Sequence, residues 1–391
     1  MKKLILKKSL NLSDIESILK DSDDLKSKEE LKIVLPRKSS LVYFKDTWMY
    51  LMVCSFGMKN SLTIIDYSHE KSDEGKFKSI RFIISRPVGI AVFHYSKIVK
   101  NLINEPLKFN KNELYKYLSN PLSFIEFQKG NEVVFFSYDS VQEYPVQFEF
   151  VDKENGRMIY LSWLKQFTKI CGDLFGVEIF PSASIENRAF CRVIFETFEN
   201  SRKWGRLKKL VDSEGNYKIR EGPRYFSIKK HINKNREISI SAADSFSELK
   251  KYLYRIFATN NNIFRFMEIS ISDSGEGVVG WFRYKNDFTA DLTDTEILNY
   301  IVNNRATTDA DDEYAGLGFE KIINAVFRID GFLSIRCNST WVYFDRSCIK
   351  RKNRNLVRIE SEDINLFLVK TIQPLMEIKG THINILMPIT N

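Results

Sequence analysis

The sequence is poor in the residues that interrupt or staple a chain. With 9 Pro and 17 Gly in 391 residues it has no low-complexity linker, and no internal repeat is visible. Its five cysteines (Cys54, Cys171, Cys191, Cys337 and Cys348) are odd in number, scattered and never spaced as Cys-x-x-Cys. That pattern argues for a reducing compartment and against a zinc site. Four histidines, none within four residues of another, say the same. Long apolar runs are absent as well. The most apolar window, TWMYLMVCSFGM at 47–58, falls short of the roughly 20 residues a spanning helix needs. The lysine-bearing start MKKLILKKSLNLSDIE has an apolar stretch too short for a signal peptide. These lacks predict a soluble cytoplasmic protein with no membrane partner.

What is present is typical of a packed globular chain: 43% hydrophobic, 28% charged, with 30 Phe and 17 Tyr. The length exceeds the usual single-domain size and predicts two domains, each able to bury a core. A net charge of +9 permits an acidic partner such as nucleic acid, nucleotide or anionic membrane. A lysine-rich composition with many Asn and Ile equally reflects an AT-rich genome.

Within residues 1–140 short strand-like and helix-like patterns alternate. LKIVLP (31–36) and SLTIIDYS (61–68) read as buried strands. SLVYFKDTWMYLMVCSFGM between them reads as a helix with one broad apolar face. RFIISRPVGIAVFHYSKIVKNLINE (81–105) reads as a strand, a Pro-Gly turn, a second strand and a helix, and 120–139 as a hairpin through Lys129-Gly130-Asn131. The alternation implies a small α/β interaction or sensory domain with no catalytic constellation.

From about 141 to 391 a second domain is expected. After a Glu-Asn-Gly turn and a helical pattern through LKQFTKICGDLF comes NRAFCRVIFETFENSRKWG (187–205). There Phe190, Val193, Ile194, Thr197 and Phe198 recur at helical spacing, and Gly205 is placed to end the helix. A basic stretch follows over 202–240, then a helix over 245–257 and the strand FMEISIS, which delivers Asp273 just past its end. Open α/β sheets place ligand groups there. Gly275 and Gly277 let the backbone turn sharply and approach a flat ring.

Three further elements surround this Asp-x-Gly-x-Gly string in a fixed order. Upstream, Glu196 and Asn200 lie four apart on one helix face, an acid and an amide able to hold a water and a hydrated magnesium. Downstream, Ala315-Gly316-Leu317-Gly318 leads into an amphipathic helix that opens at about Phe319, where free backbone amides suit phosphate. Two strand-like segments, FLSIRC and TWVYFD, follow, and Gly380-Thr381 leads into a last alternating strand, KGTHINILMPI.

This order resembles the GHKL ATPase superfamily, which includes gyrase B, MutL, heat-shock chaperones, and histidine-kinase-type sensor and anti-sigma proteins. The resemblance covers roughly residues 150–391 and implies a two-layer α/β sandwich with a mixed sheet, binding ATP and Mg2+. On it, Asn200 of VIFETFENSRKWG would coordinate magnesium and Glu196 would be the catalytic carboxylate that activates water or a hydroxyl. Asp273 of SDSGEGV would bind the adenine amino group with Gly275 and Gly277 lining the base. The backbone of Gly316, Leu317 and Gly318 in YAGLGFEKI would approach the phosphates, 284–314 would form a mobile lid, and Thr381 would lie near the base.

The sequence departs from the family in three places. Ala315 replaces a frequent glycine, about 70 residues separate Asn200 from Asp273 so that 206–240 reads as a basic insertion, and no phosphoacceptor helix is visible around His69. Three functions follow: an ATPase or ATP-driven switch acting on a protein partner or as a homodimer, an anti-sigma-type protein serine kinase, and a non-hydrolysing ATP sensor. The superfamily's range takes in bacterial stress, signalling and phage-defence roles. Nucleic acid is a further candidate partner through the basic runs 202–240 and 349–358, where Trp204, Tyr217, Tyr225 and Phe226 interleave with the charges. Glu199, Lys203, Arg206, Lys208 and Lys209 read as a solvated face, and His94 and His231 as structural.

Overall fold

The computed structural model describes residues 2–5, 12–23, 30–35, 42–59, 61–66, 86–100, 132–138, 160–175, 185–205, 210–211, 217–218, 222–259, 265–303, 317–349, 366–370 and 375–389. It is a mixed helix and sheet protein, as expected. Its first part alternates strictly: β1 (Lys2–Ile5), α1 (Leu12–Asp23), β2 (Glu30–Leu35), α2 (Lys45–Lys59), β3 (Ser61–Asp66), α3 (Pro87–Tyr95) and β4 (Ser96–Lys100). The four strands pair in sequence order and all in parallel. α1 packs on α2 and α2 on α3, as expected when the crossovers of a parallel sheet always step the same way.

The segment 86–95 corrects the sequence reading. In place of a Pro-Gly turn and a strand there is a helix, α3, with Pro87 at its first position, where the missing N–H is no loss. Val88, Ile90, Ala91 and Val92 are all buried. A continuous apolar run of this length carries no period that separates a buried helix from a strand. The helix expected next is the strand β4 as far as Lys100, and 101–131, with the expected hairpin, lies outside the described residues. In α2 the apolar face is not one side but the whole circumference: Trp48, Met49, Tyr50, Leu51, Met52, Val53 and Cys54 are all buried, as in a helix enclosed on every side.

The second sheet has seven strands in the order β12-β11-β10-β13-β9-β8-β5. They are β5 (Glu132–Tyr138), β8 (Pro223–Ile232), β9 (Arg265–Ser272), β10 (Phe332–Asn338), β11 (Thr340–Phe344), β12 (Phe367–Leu368) and β13 (Ile378–Pro388). Every neighbouring pair is antiparallel. The expected mixed sheet is therefore corrected: among the described residues parallel pairing is confined to β1–β4. β10 and β11 are joined by a tight turn at Asn338-Ser339, with Asn338 in the left-handed region (φ 44°). β5 comes from residues before 140 yet pairs along its whole length with β8.

Side chains alternate across this sheet. Phe226, Ile269, Ile271, Ile335 and Ile385 face one side, the front, where they form a core with α4 (Tyr160–Phe175), α5 (Ile185–Trp204), α8 (Gly277–Lys285), α9 (Asp294–Asn303) and α10 (Leu317–Arg328). The other side, the back, is covered by α2, which touches β9 and β13, by α3, which touches β8, and by α7 (Ser247–Thr259). α2 also touches β3, so one helical layer lies between two sheets. A short helix α6 (Arg236–Ser241) precedes α7, and β6 (Leu210–Val211) with β7 (Tyr217–Lys218) forms a two-stranded ribbon.

The back face is unusually polar. The Asp46 carboxylate, at the start of α2, takes Arg86 and Lys229, both at 3.2 Å. Glu268 takes His231 Nε2 at 2.8 Å and the Phe44 N–H at 3.1 Å. Phe44 itself is in the left-handed region (φ 62°). His231, expected to be structural, is held here by a named partner.

The basic stretch 206–240 is not one solvated insertion. Residues 223–232 are β8, an interior strand of the sheet, and Tyr225 and Phe226 are buried on its opposite faces. They are unavailable for base stacking. Residues 206–209 and most of 349–358 lie outside the described residues, as do the side chains of Lys203, Trp204 and Tyr217.

Candidate functional site

Helix α5 forms as its spacing demands. Val193, Ile194, Thr197 and Phe198 are buried against the front of the sheet, and the Gly205 N–H closes the last turn on Ser201 O at 2.9 Å. This orientation turns both Glu196 and Asn200 toward α10. Glu196 Oε1 pairs with Lys321 Nζ of α10 at 3.3 Å and with Arg192 at 2.6 Å within its own helix. One turn on, the Asn200 side-chain amide lies against Gly318: a Cβ there would stand 2.9 Å from Nδ2 and 3.0 Å from Oδ1. Glycine at 318 is thus what lets Asn200 reach the first turn of α10. The backbone of Leu317 begins that helix, while its side chain and Gly316 lie outside the described residues.

The stretch 273–280 is an interlocked loop. Asp273 Oδ1 accepts from Gly275 N at 3.0 Å and from Thr381 N at 3.2 Å, and Asp273 N donates to Thr381 O at 3.2 Å. Thr381 Oγ1 in turn accepts from Val278 N at 2.9 Å, satisfying one of the free donors in the first turn of α8. Two glycines are required by conformation. Gly277 (φ 77°) passes Asn338 and Gly380, and Gly380 (φ 87°) packs so closely on the Asp273 carbonyl that a Cβ would overlap it. Lys379 fastens the far side through Glu276 at 2.8 Å.

The two clusters meet at the end of α5. A Cβ on Gly205 would lie 2.6 Å from Asp273 Cβ, and one on Gly275 would lie 2.7 Å from Gly205 O. One helix therefore touches α10 through Glu196 and Asn200 and the Asp273 loop through Gly205. Asp273 is left 5% exposed.

Of the expected site residues, Asp273, Gly275, Gly277 and Thr381 come together directly. Glu196, Asn200 and Gly318 form the adjoining cluster. The span assigned to a lid is corrected in part: α9 fills 294–303, and its Ile297, Leu298, Ile301 and Val302 are buried in the front core. It belongs to the body of the fold, and 304–316 lies outside the described residues. Sequence reading missed Asn338, Lys321 and Lys379, whose roles depend on strands and helices far apart in the chain. The Asn-Ser step between two strand-like runs is a local signal for the first of these.

Other titratable groups nearby are poor candidates for acid or base chemistry. His382 follows Thr381 but faces the back of the sheet, where burial pushes its pKa down to about 3. Burial pushes the Cys337, Cys191 and Cys348 thiols up to about 12, and none of the three is in a disulfide.

Asn200 is of a kind that could hold a hydrated magnesium. No cluster of three metal-ligating side chains exists among the described residues, but magnesium keeps several waters and binds through one or two protein oxygens plus phosphates. The Asn200 amide at the start of α10 meets that need, since a helix N-terminus favours phosphate. No helix among the described residues is long and apolar enough to cross a membrane. No family model, no curated protein and no solved structure matches this chain.

Proposed function

We propose that this chain binds Mg-ATP at the junction of α5, α10 and the 273–280 loop, and that it works as an ATP-driven switch of the GHKL kind. The supporting observation is convergence. Segments more than 60 residues apart in sequence bring Asn200 to the start of α10 and Gly205 to Asp273.

In this reading the Asp273 carboxylate, oriented by two backbone N–H groups, receives the exocyclic amine of the base, with Thr381 beside it. The N–H groups of the first turn of α10 would receive phosphate, and the Asn200 oxygen would hold a hydrated magnesium, whose chemistry would be to offset phosphate charge. Gly205 packs on Asp273, so a base seated against Asp273 would require the end of α5 to shift, and that shift would be the switch.

Glu196 is the carboxylate placed to take a proton from water or from a partner's hydroxyl. Its Oε1 is engaged by both Arg192 and Lys321, and a carboxylate already held in two ion pairs favours the second reading, an ATP sensor that hydrolyses little. Calorimetry with Mg-ATP on the unaltered protein, Asp273→Asn and Asn200→Ala, with phosphate release followed on the same samples, tests both. Binding that both substitutions weaken at least tenfold is expected. No binding of adenine nucleotide by the unaltered protein would sink the reading, while binding without phosphate release selects the sensor.

A further inference from the structure

Arg336, on the back of β10, is fully buried and surrounded by acceptors from three parts of the chain. Its Nη2 donates to Met376 O at 2.6 Å and its Nη1 to Thr340 O at 3.3 Å and to Asn338 O. Its Nε donates to Glu16 Oε1 of α1 at 3.1 Å. Glu16 is 8% exposed, and its second oxygen, Oε2, is buried with no hydrogen-bond partner among the described residues.

What Arg336 holds is the support of the 273–280 loop. Asn338, whose carbonyl it binds, reaches the loop with its side chain: Oδ1 accepts from Gly280 N at 3.3 Å and Nδ2 donates to Glu276 O at 3.3 Å. Met376, whose carbonyl it also binds, leads into β13, where Lys379 pairs with that same Glu276. A buried guanidinium stays in place only while its charge is matched, and removing one partner of such a pair is strongly destabilising. The matching carboxylate comes from α1, more than 300 residues away in sequence.

We propose that Arg336 is a positioning residue for the 273–280 loop and that the seating of Glu16 on it makes α1 an effector of that loop. With Glu16 in place, the Asn338 turn is held against Glu276 and Gly280. With α1 withdrawn, the guanidinium draws away from the Asn338 and Met376 carbonyls toward water, and the loop loses two of its hydrogen bonds. Occupancy of the loop and docking of α1 are then linked, and by thermodynamic necessity each strengthens the other. The identity of the occupant rests on the Mg-ATP reading; the link between Glu16 and the loop does not.

Amide hydrogen exchange resolves the two. In the free protein, Glu16→Ala is expected to speed exchange of the Gly280 amide about tenfold, the loss of roughly one hydrogen bond, while the central amides of β9 keep their rates. Glu16→Gln, which retains an acceptor for Nε, is expected to fall between. Addition of Mg-ATP is expected to slow exchange across residues 12–23 in the unaltered protein and not in Glu16→Ala, and the variant's Kd for Mg-ATP is expected to rise about fivefold. An unchanged Gly280 rate in both variants would overturn the link whatever Mg-ATP does. Uniform acceleration through both sheets would overturn it too, because a purely stabilising Glu16 gives that result. A selective Gly280 response in a protein that binds no ATP would uphold the link and remove the nucleotide reading alone.

Discussion

The front and the back of the seven-stranded sheet are built from the same strands, yet they bury opposite chemistry. On the front, Phe226, Ile269, Ile271 and Ile385 meet the apolar stripes of α5 and α10. On the back, the alternate positions include Lys229, Glu268, Asn384 and Arg336, and the helix they meet, α2, is apolar all round. Apolar contact is non-directional, so an all-apolar helix has no preferred rotation against a sheet. The buried charges supply that preference. Asp46 at the start of α2 can meet both Arg86 and Lys229 in one rotation and register. The contrast suggests that the front is held mainly by area and the back is oriented mainly by charge.

Removing a charge on the back should give the largest effect. Asp46→Ala removes the carboxylate that Arg86 and Lys229 share, leaving Lys229 with the more distant Glu132 at 3.9 Å, and is expected to cost about 3–5 kcal/mol in urea denaturation. Burial pushes the Asp46 carboxyl up, but Lys229 and Arg86 outweigh it and hold the pKa down at about 2. Changing Asp46, Arg86 and Lys229 together to Leu, Met and Met should recover most of that loss. A triple variant as unstable as Asp46→Ala would break the comparison.

On the front, Ile323→Ala, at a fully buried position of α10, should cost about 2–5 kcal/mol through a cavity. Its cost should not depend on pH. The back should behave otherwise. His382 is held neutral by burial, with a folded pKa of about 3 against an ordinary 6.5. Its contribution to stability is present above pH 6.5 and is lost as pH falls from there toward 3. The slope should approach 1.4 kcal/mol per pH unit, about the worth of one proton taken up on unfolding. His382→Gln should flatten the denaturation midpoint over that window; an equal slope in both proteins would show that other groups carry it.

At the site, Thr381→Val removes the acceptor for Val278 N and should cost about 1–2 kcal/mol, with Thr381→Ser restoring most of it. The smallest effect is expected at the surface. Arg255→Ala breaks a pair to Asp330 whose side chains are 27% and 25% exposed, and thermal unfolding should register no more than about 1 kcal/mol.

Much of the framework was legible from the sequence because it is local. The spacing of Val193, Ile194, Thr197 and Phe198 gave α5 and its buried face, and Gly205 marked its end. β9, β13 and the start of α10 also stand where alternation and glycine put them. α3 was not legible, because Val88 to Val92 are apolar without a period. Nor was β8, because its lysines read as solvent-facing while Lys229 is sequestered by Asp46 and Glu132. At the site, the contact of Asn200 with Gly318 and the closure of Gly205 over Asp273 join segments whose separation the sequence does not encode.

By itself the sequence determined the secondary structure that has a period, the glycines at 277 and 380 that a tight loop requires, and a chain whose apolar window is too short to span a bilayer. Only the tertiary structure decided that the large sheet is antiparallel, that β5 closes its edge, that α2 lies between two sheets, and that Glu16 and Arg336 meet. The reason is physical. Helix and strand patterns repeat over a few residues and follow from local sterics and burial. Strand partners and buried ion pairs depend on which distant surfaces can exclude water together, and that choice is made only when the chain is compact.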